Sequence, residues 1–311
     1  MTASSATTPP GPDSPEPAPP PAPRSTSREV ARALVSHKLA VFGLVVLGLL
    51  VVAAVLGRTA APYDPNAVDV LGRLQPPSLE HPFGTDDLGR DVLSRVLVAA
   101  RLSLVVGAIA VGIALTVGVT LGLVAGYYGR WVDDVIMRVM DVLFAFPAIL
   151  LAIAILAVLG PGVTNAMIAI GIVYTPIFAR VTRASVLSVR EEVYVRAARS
   201  LGVGDLRLLR LHILPNVMAP IIVQTSLSLA FAILSEAALS FLGLGIQPPD
   251  PSWGRMLFEG RGFVQQAWWM GVFPGVAIFV TVLSFNVIGD ALRDALDPRQ
   301  RSAIEARGAS R

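Results

Sequence analysis

Long apolar runs separated by short polar connections dominate the chain, and their lengths predict helices that cross a membrane. Such a helix needs roughly 20 mostly apolar residues to span a ~30 Å hydrocarbon core. Residues 39–57 qualify, closed by Arg58 and the breaker Pro62-Tyr63-Asp64-Pro65. Residues 102–127 form a second run, and 137–159 a third, ended by Gly160-Pro161-Gly162. Residues 165–179 follow with Pro176 inside them, then 217–239 and 269–288. The pattern predicts an all-α membrane protein with six transmembrane helices.

The polar connections orient these spans, because basic residues accumulate on the cytoplasmic side. Arg24, Arg28, Arg32 and Lys38 precede the first span, and Arg130 and Arg138 fall between the second and third. The connection from the fourth to the fifth holds Arg180, Arg183, Arg190, Arg196, Arg199, Arg207 and Arg210. The end of the chain adds Arg293, Arg299, Arg301, Arg307 and Arg311. The alternate connections carry fewer: Arg58, Arg73, Arg90, Arg95, Arg101, Arg255 and Arg261. Both termini are therefore expected inside the cell (N-in, C-in), with Trp253, Trp268 and Trp269 near the outer interface.

Composition agrees with a membrane class: 54% of the 311 residues are hydrophobic and 15% charged, against about 25% charged in a soluble domain. The absence of cysteine excludes disulfides, thiolate metal sites and cysteine nucleophiles. Pro9 to Pro23 is dense in proline and lacks an apolar run, so residues 1–28 are expected to be a disordered cytoplasmic tail. The first long apolar run lies behind that tail with no small-residue cleavage site after it, and reads as a retained anchor. Thr26 and Glu29 have the spacing of a capping box. A short amphipathic helix and a frayed juxtamembrane segment both fit the residues that follow.

The longest basic connection carries the most information. Residues 193–201 read as a short helix, with Gly202 free to take the left-handed conformation that ends it. Asp205 is placed to cap a second helix beginning at Leu206. Pro215 and Asn216 mark entry to the fifth span. The result is a compact protrusion whose Ala197-Ala198 pair leaves a shallow surface for a partner to approach.

This loop resembles that of the permease subunits of ABC importers, which reads Glu-Ala-Ala, three residues, Gly, nine residues, Ile-x-Leu-Pro. Ala197, Ala198 and Gly202 stand in register, with Leu214-Pro215 at the required distance, while Arg196 replaces the Glu and His212 the Ile. Other segments resemble the dipeptide/oligopeptide/nickel branch, and within it the C-type subunit. They are His81-Pro82-Phe83-Gly84-Thr85-Asp86 through Arg95, Ala238 through Gly245 followed by Gln247-Pro248-Pro249 and Pro251-Ser252-Trp253-Gly254, and the closing segment from Asn286 to Arg299, which ends Leu296-Asp297-Pro298-Arg299. The resemblance covers residues 30–300.

It implies a type I ABC importer permease fold in the bacterial cell membrane. A second permease would complete the pathway, two cytoplasmic ATPase subunits would bind ATP and Mg, and an extracytoplasmic substrate-binding protein would deliver the solute. Arg196, Ala197, Ala198, Gly202, Asp205, Leu214 and Pro215 would form the ATPase-coupling loop. Peptides are the expected cargo, with nickel chelates or another small solute as the alternative. The implied organisation is a tail (1–28), an anchor helix with its outer loop (29–100), a permease domain (101–297) and a second tail (298–311).

Isolated polar residues leave alternatives open. Glu236 in the fifth span costs a few kcal/mol in hydrocarbon and so faces a cavity or partner. It lines the pathway or a helix interface with Ser235 and Gln224, or it reaches the outer interface or packs against Arg101. Asn286 and Asp290 are expected to stabilise the inner end of the sixth span. His81 with Glu80, Asp86, Asp87 and Asp91 matches no defensible metal-ligand spacing, and Asp86 and Asp87 read as turn and cap residues of a helix at 88–95. No phosphate-binding loop of the Gly-x-x-x-x-Gly-Lys-Ser/Thr type is present, so the chain itself is not expected to be an enzyme or to hold a cofactor. The basic residues lie beside the membrane, where lipid rather than nucleic acid is the near partner. An autonomous secondary transporter or channel is the rival class, and it would show repeated halves or several buried charges.

Overall fold

The computed structural model describes residues 34, 35 and 37–296. The proline-rich tail, the Thr26–Glu29 box and the closing Asp297-Pro298-Arg299 lie outside the described residues. Helices are α1 (Lys38–Ala60), α2 (Val92–Tyr128), α3 (Arg130–Phe144), α4 (Ala148–Leu159), α5 (Val163–Val189), α6 (Val193–Ser200), α7 (Asp205–Leu208), α8 (Leu214–Phe241), α9 (Trp253–Gly260) and α10 (Trp269–Leu296). A π-helical turn, Leu209–Ile213, joins α7 to α8. Among the described residues the fold is all-helical, and five of the six apolar runs lie in continuous helices.

The third apolar run differs from its prediction as a single span. It is a broken pair, α3 and α4, bent by 92°, whose joined length and composition still suit one broken span or a re-entrant loop. Pro147 lacks an amide hydrogen and disfavours helical geometry at the residue before it, which interrupts the helix at Ala145–Pro147. α3 also carries Asp133, Asp134, Arg138 and Asp141, too polar for a hydrocarbon-spanning turn. At 12 residues, α4 is about 18 Å long, shorter than the hydrocarbon core.

Two other boundaries move for electrostatic reasons. α5 continues past the expected stop at residue 179 because its arginines are paired. Arg183 clasps Asp133 of α3 through Nε and Nη2 at 2.5 and 2.6 Å, and Arg180 Nη2 reaches Asp141 at 2.7 Å. α2 begins ten residues earlier than its apolar run, absorbing part of the helix expected at 88–95. Its cap is Asp91, whose carboxylate accepts from the Ser94 amide at 2.7 Å. Asp86 instead closes a turn by accepting from the Leu88 and Arg90 amides.

α2 and α5 form the closest-packed pair. Gly118, Gly122 and Gly126 recur every four residues on one face of α2 and let the backbones approach. A Cβ at Gly118 would stand 2.6 Å from the Thr175 carbonyl oxygen, and one at Gly122 2.5 Å from that of Ala179. α8 and α10 pack beside them, and α1 lies against α2 and α10. Much of the α1 surface, including Leu39, Val45, Leu49, Val52 and Val55, is exposed within the chain, as expected of a helix bathed in lipid.

At the end formed by the 61–91 loop and α9, the tryptophans depart from an interfacial belt. Trp253 and Trp269 are 1% and 4% exposed. Their indole N–H groups donate to the carbonyls of Val96 and Thr85 at 3.1 and 2.9 Å. Both rings are core pegs, because the outer loop folds over them; of the three tryptophans at this end Trp268 alone is exposed.

Candidate functional site

At the opposite end, α6 and α7 form a knob on the tips of α2, α5 and α8. Val195, Leu208, Ile213 and Val217 pack with Tyr127 and Val186 in a buried cluster beneath it. α6 ends as its sequence predicts: Gly202 has φ +79, and its amide donates to the Arg199 carbonyl. A Cβ there would meet nothing within 4 Å, so backbone conformation is what selects glycine. Arg196 and Ala197 are exposed, Ala198 is half-buried, and Val193 and Leu201 are 72% and 85% exposed. The knob therefore offers apolar side chains and cations around a shallow alanine step.

Asp205 departs from its expected capping role. It is the first residue of α7, whose N-cap is Gly204, and it makes no capping bond there. Its carboxylate accepts a 2.6 Å hydrogen bond from the Tyr127 hydroxyl, while Arg199 lies 5.0 Å over the same ring. Tyr127 thus ties both knob helices to the end of α2; no motif in the sequence flagged it. Burial, and secondarily Glu192, raises the pKa of the nearby Tyr194 hydroxyl above its ordinary value. Leu214 and Pro215 open α8. Pro215 cannot donate to the preceding turn, which widens into the π segment, and Asn216 Nδ2 donates to the His212 carbonyl at 2.7 Å.

Glu236 is 1% exposed. Ser240 Oγ donates to its Oε1 at 2.7 Å and accepts from the Ile246 amide, and the Ser103 and Ser252 hydroxyls also face the carboxyl. Residues of α2, α8 and the segment before α9 thus surround the carboxyl, whose Oε2 has no hydrogen-bond partner, and no ion pair with Arg101 forms among the described residues. Ser235 contacts Tyr174 at 3.0 Å instead. Gln224 donates to Ser228 on its own helix at 3.0 Å. Twelve residues of helix separate it from Glu236, about 18 Å, so the two do not share one site. In α10, Asn286 is half-buried and Asp290 exposed.

A charge network missed in the sequence holds the other end. Arg90 Nη2 and Arg95 Nη2 both reach Glu259 Oε2 at 2.9 Å, Arg90 Nε reaches Asp86 at 2.6 Å, and Arg255 reaches Glu259 Oε1 at 3.1 Å. Its members come from three segments, which single-segment motifs cannot reveal. Asp87 sits beside it, its carboxyl pushed above the usual range first by burial and then by Asp86. His81 Nδ1 lies 2.9 Å from Asp91, and no group of three or more His, Asp or Glu residues placed to hold a metal occurs among the described residues.

The family described as "Binding-protein-dependent transport system inner membrane component" matches residues 118–302, which include α5 to α10 and the whole knob. The chain belongs to this family. A second match, the N-terminal transmembrane domain of oligopeptide transport permease C, covers residues 25–77 of the permease. The permease is 50% identical over 293 residues to the dipeptide transport system permease protein DppC of Alkalihalophilus pseudofirmus, covering 94% of this chain and 96% of that one. It is 46% identical to the di/tripeptide transport system permease protein DppC of Pseudomonas aeruginosa, covering 90% and 94%. In fold it is similar to a chain of the inward-facing MetNI methionine ABC transporter, with a TM-score of 0.52 at 15% identity, over 63% of this chain and 93% of that one. The permease is accordingly a type I importer permease, a multi-pass membrane protein of a transport system.

Proposed function

We propose that the permease forms half of an import pathway for di- and oligopeptides and is driven through the α6–α7 knob by cytoplasmic ATPases. The observation that carries the substrate class is the 50% identity, over nearly the whole of both chains, to a dipeptide transport permease. In this reading the basic end of the bundle is cytoplasmic, with both termini on that side, and a second permease completes the pathway. ATP and magnesium bind to the ATPase subunits, and a binding protein delivers peptide to the 61–91 loop and α9 end.

The knob's construction suits that work. Its exposed Val193 and Leu201 can enter a groove on a partner, and Arg196, Ala197, Ala198 and Gly202 set the approaching surface. Displacement of the knob would pass through Tyr127 to α2 and through the helical segment from Asp205 to Phe241 into α8. The test is ATP-dependent uptake of a labelled dipeptide into vesicles carrying the reconstituted system. Uptake should require the ATPases and should fail with an Ala198→Arg knob. Uptake by this chain alone, without any ATPase, would overturn the reading in favour of an autonomous carrier.

A further inference from the structure

Arg58 and Arg101 mark the same boundary on two neighbouring helices. Residues 39–57 of α1 carry no charge before Arg58, and residues 102–127 of α2 carry none after Arg101. The two side chains share a cavity of about 370 Å³ with Val98, Leu102, Val105 and Asp250. A smaller recess continues from it along α1 past Ala54 and Val55.

The other arginines at this end of the bundle are engaged. Arg90, Arg95 and Arg255 hold Glu259, Arg73 donates to the Asp87 carbonyl, and Arg261 lies over Phe258. Arg58, Arg101 and Asp250 make no hydrogen bond or ion pair among the described residues. Two unpaired guanidiniums thus stand where the aliphatic walls of two spanning helices end, with exposed Val55, Val105 and Ile109 continuing into the hydrocarbon zone. Guanidinium groups bind phosphate oxygens through charge-assisted and often bidentate hydrogen bonds. The carboxylate on the rim has the charge to hold an ammonium group.

We propose that this cavity holds the headgroup of a zwitterionic phospholipid, its phosphate on Arg58 and Arg101, its amine on Asp250 and its acyl chains along α1 and α2. A soluble anion would use the cations and leave the aliphatic wall unused; a lipid uses both. Occupancy would fix α1 against α2, a pair whose contact includes the close approach of Gly57 to the Leu97 carbonyl.

The test is native mass spectrometry of the detergent-purified full chain titrated with phosphatidylethanolamine and, separately, phosphatidylglycerol. The unmodified protein should retain phosphatidylethanolamine in preference. Arg58→Gln with Arg101→Gln should weaken its retention about ten-fold, roughly 1.4 kcal/mol. Asp250→Asn should erase the preference between the two lipids, and Arg261→Gln should change neither. Because these side chains are exposed, the thermal midpoint in lipid-free detergent should stay unchanged and certify the fold. Equal retention by the double variant and the parent would overturn the proposal. So would displacement of the lipid by millimolar inorganic phosphate or dialanine, which would assign the cavity to a soluble ligand.

Discussion

The Tyr127 hydroxyl donates to the Asp205 carboxylate at 2.6 Å, across 78 residues of sequence. A residue at the end of a 37-residue helix is thereby bonded to the first residue of the knob's second helix. A hydrogen bond to a charged group contributes about 1.5–3 kcal/mol. Tyr127→Phe keeps the ring under Arg199 and removes only that bond. It should lower ATP-driven uptake several-fold while the protein still reaches the membrane at normal yield. Uptake in vesicles normalised to permease content is the measurement, and Asp205→Asn, which can still accept from the hydroxyl, should fall less.

Gly202 separates backbone from packing effects. Its φ of +79 disfavours β-branched residues, yet the space around it is open. Gly202→Val should therefore cost about 1–2 kcal/mol, loosening the end of α6 and reducing uptake. Gly202→Asn, which tolerates the left-handed region, should retain most of it. Equal loss with both would place a partner's surface directly against the residue.

How far the sequence could be read follows from what each feature needs. Apolar runs located the spanning helices, because length and composition are local properties. The knob helix and its Gly202 terminator were equally local. The kink at Pro147 is hidden in the run 137–159, because length and composition alone do not separate a proline that breaks a helix from one, such as Pro176, that a helix contains. α5 outran its apolar stretch because Arg180 and Arg183 are neutralised by Asp141 and Asp133 on another helix. Tyr127 and Glu259 gain their roles from partners far along the chain, so spacing carried no sign of them. Trp253 and Trp269 look interfacial by type and are core by fold. The small-residue stripe Gly118-Gly122-Gly126 stands at helical spacing in the sequence and marks the α2 face against which α5 packs.

That stripe makes a controlled prediction within a single helix. Gly122 faces the Ala179 carbonyl and Thr182 Cβ of α5, whereas Gly112 faces open space. Gly122→Leu should force α2 and α5 apart and sharply reduce the yield of folded protein in detergent. Gly112→Leu changes hydrophobicity equally and should leave yield and thermal midpoint near those of the parent. Fluorescence-detected size exclusion on paired samples decides it.

Asp87 predicts a pH dependence with a definite sign. Its Oδ1 is buried without a hydrogen-bond partner and lies 3.8 Å from Arg90 Nη2, and burial raises its pKa above the ordinary 3.8. An acid whose folded-state pKa lies above its unfolded value binds protons more tightly when folded, so its charge opposes folding. That penalty is absent below the unfolded pKa, grows as pH rises through the raised folded value, and is complete above it. Asp87→Asn removes the penalty and should raise the thermal midpoint at pH 7. The gain should shrink as pH falls and vanish below about pH 4, where the aspartate is protonated in both states. Thermal unfolding of the pair in detergent between pH 4 and pH 8 measures it. A stability gain for the asparagine that is constant with pH would show that packing, rather than charge, separates the two side chains.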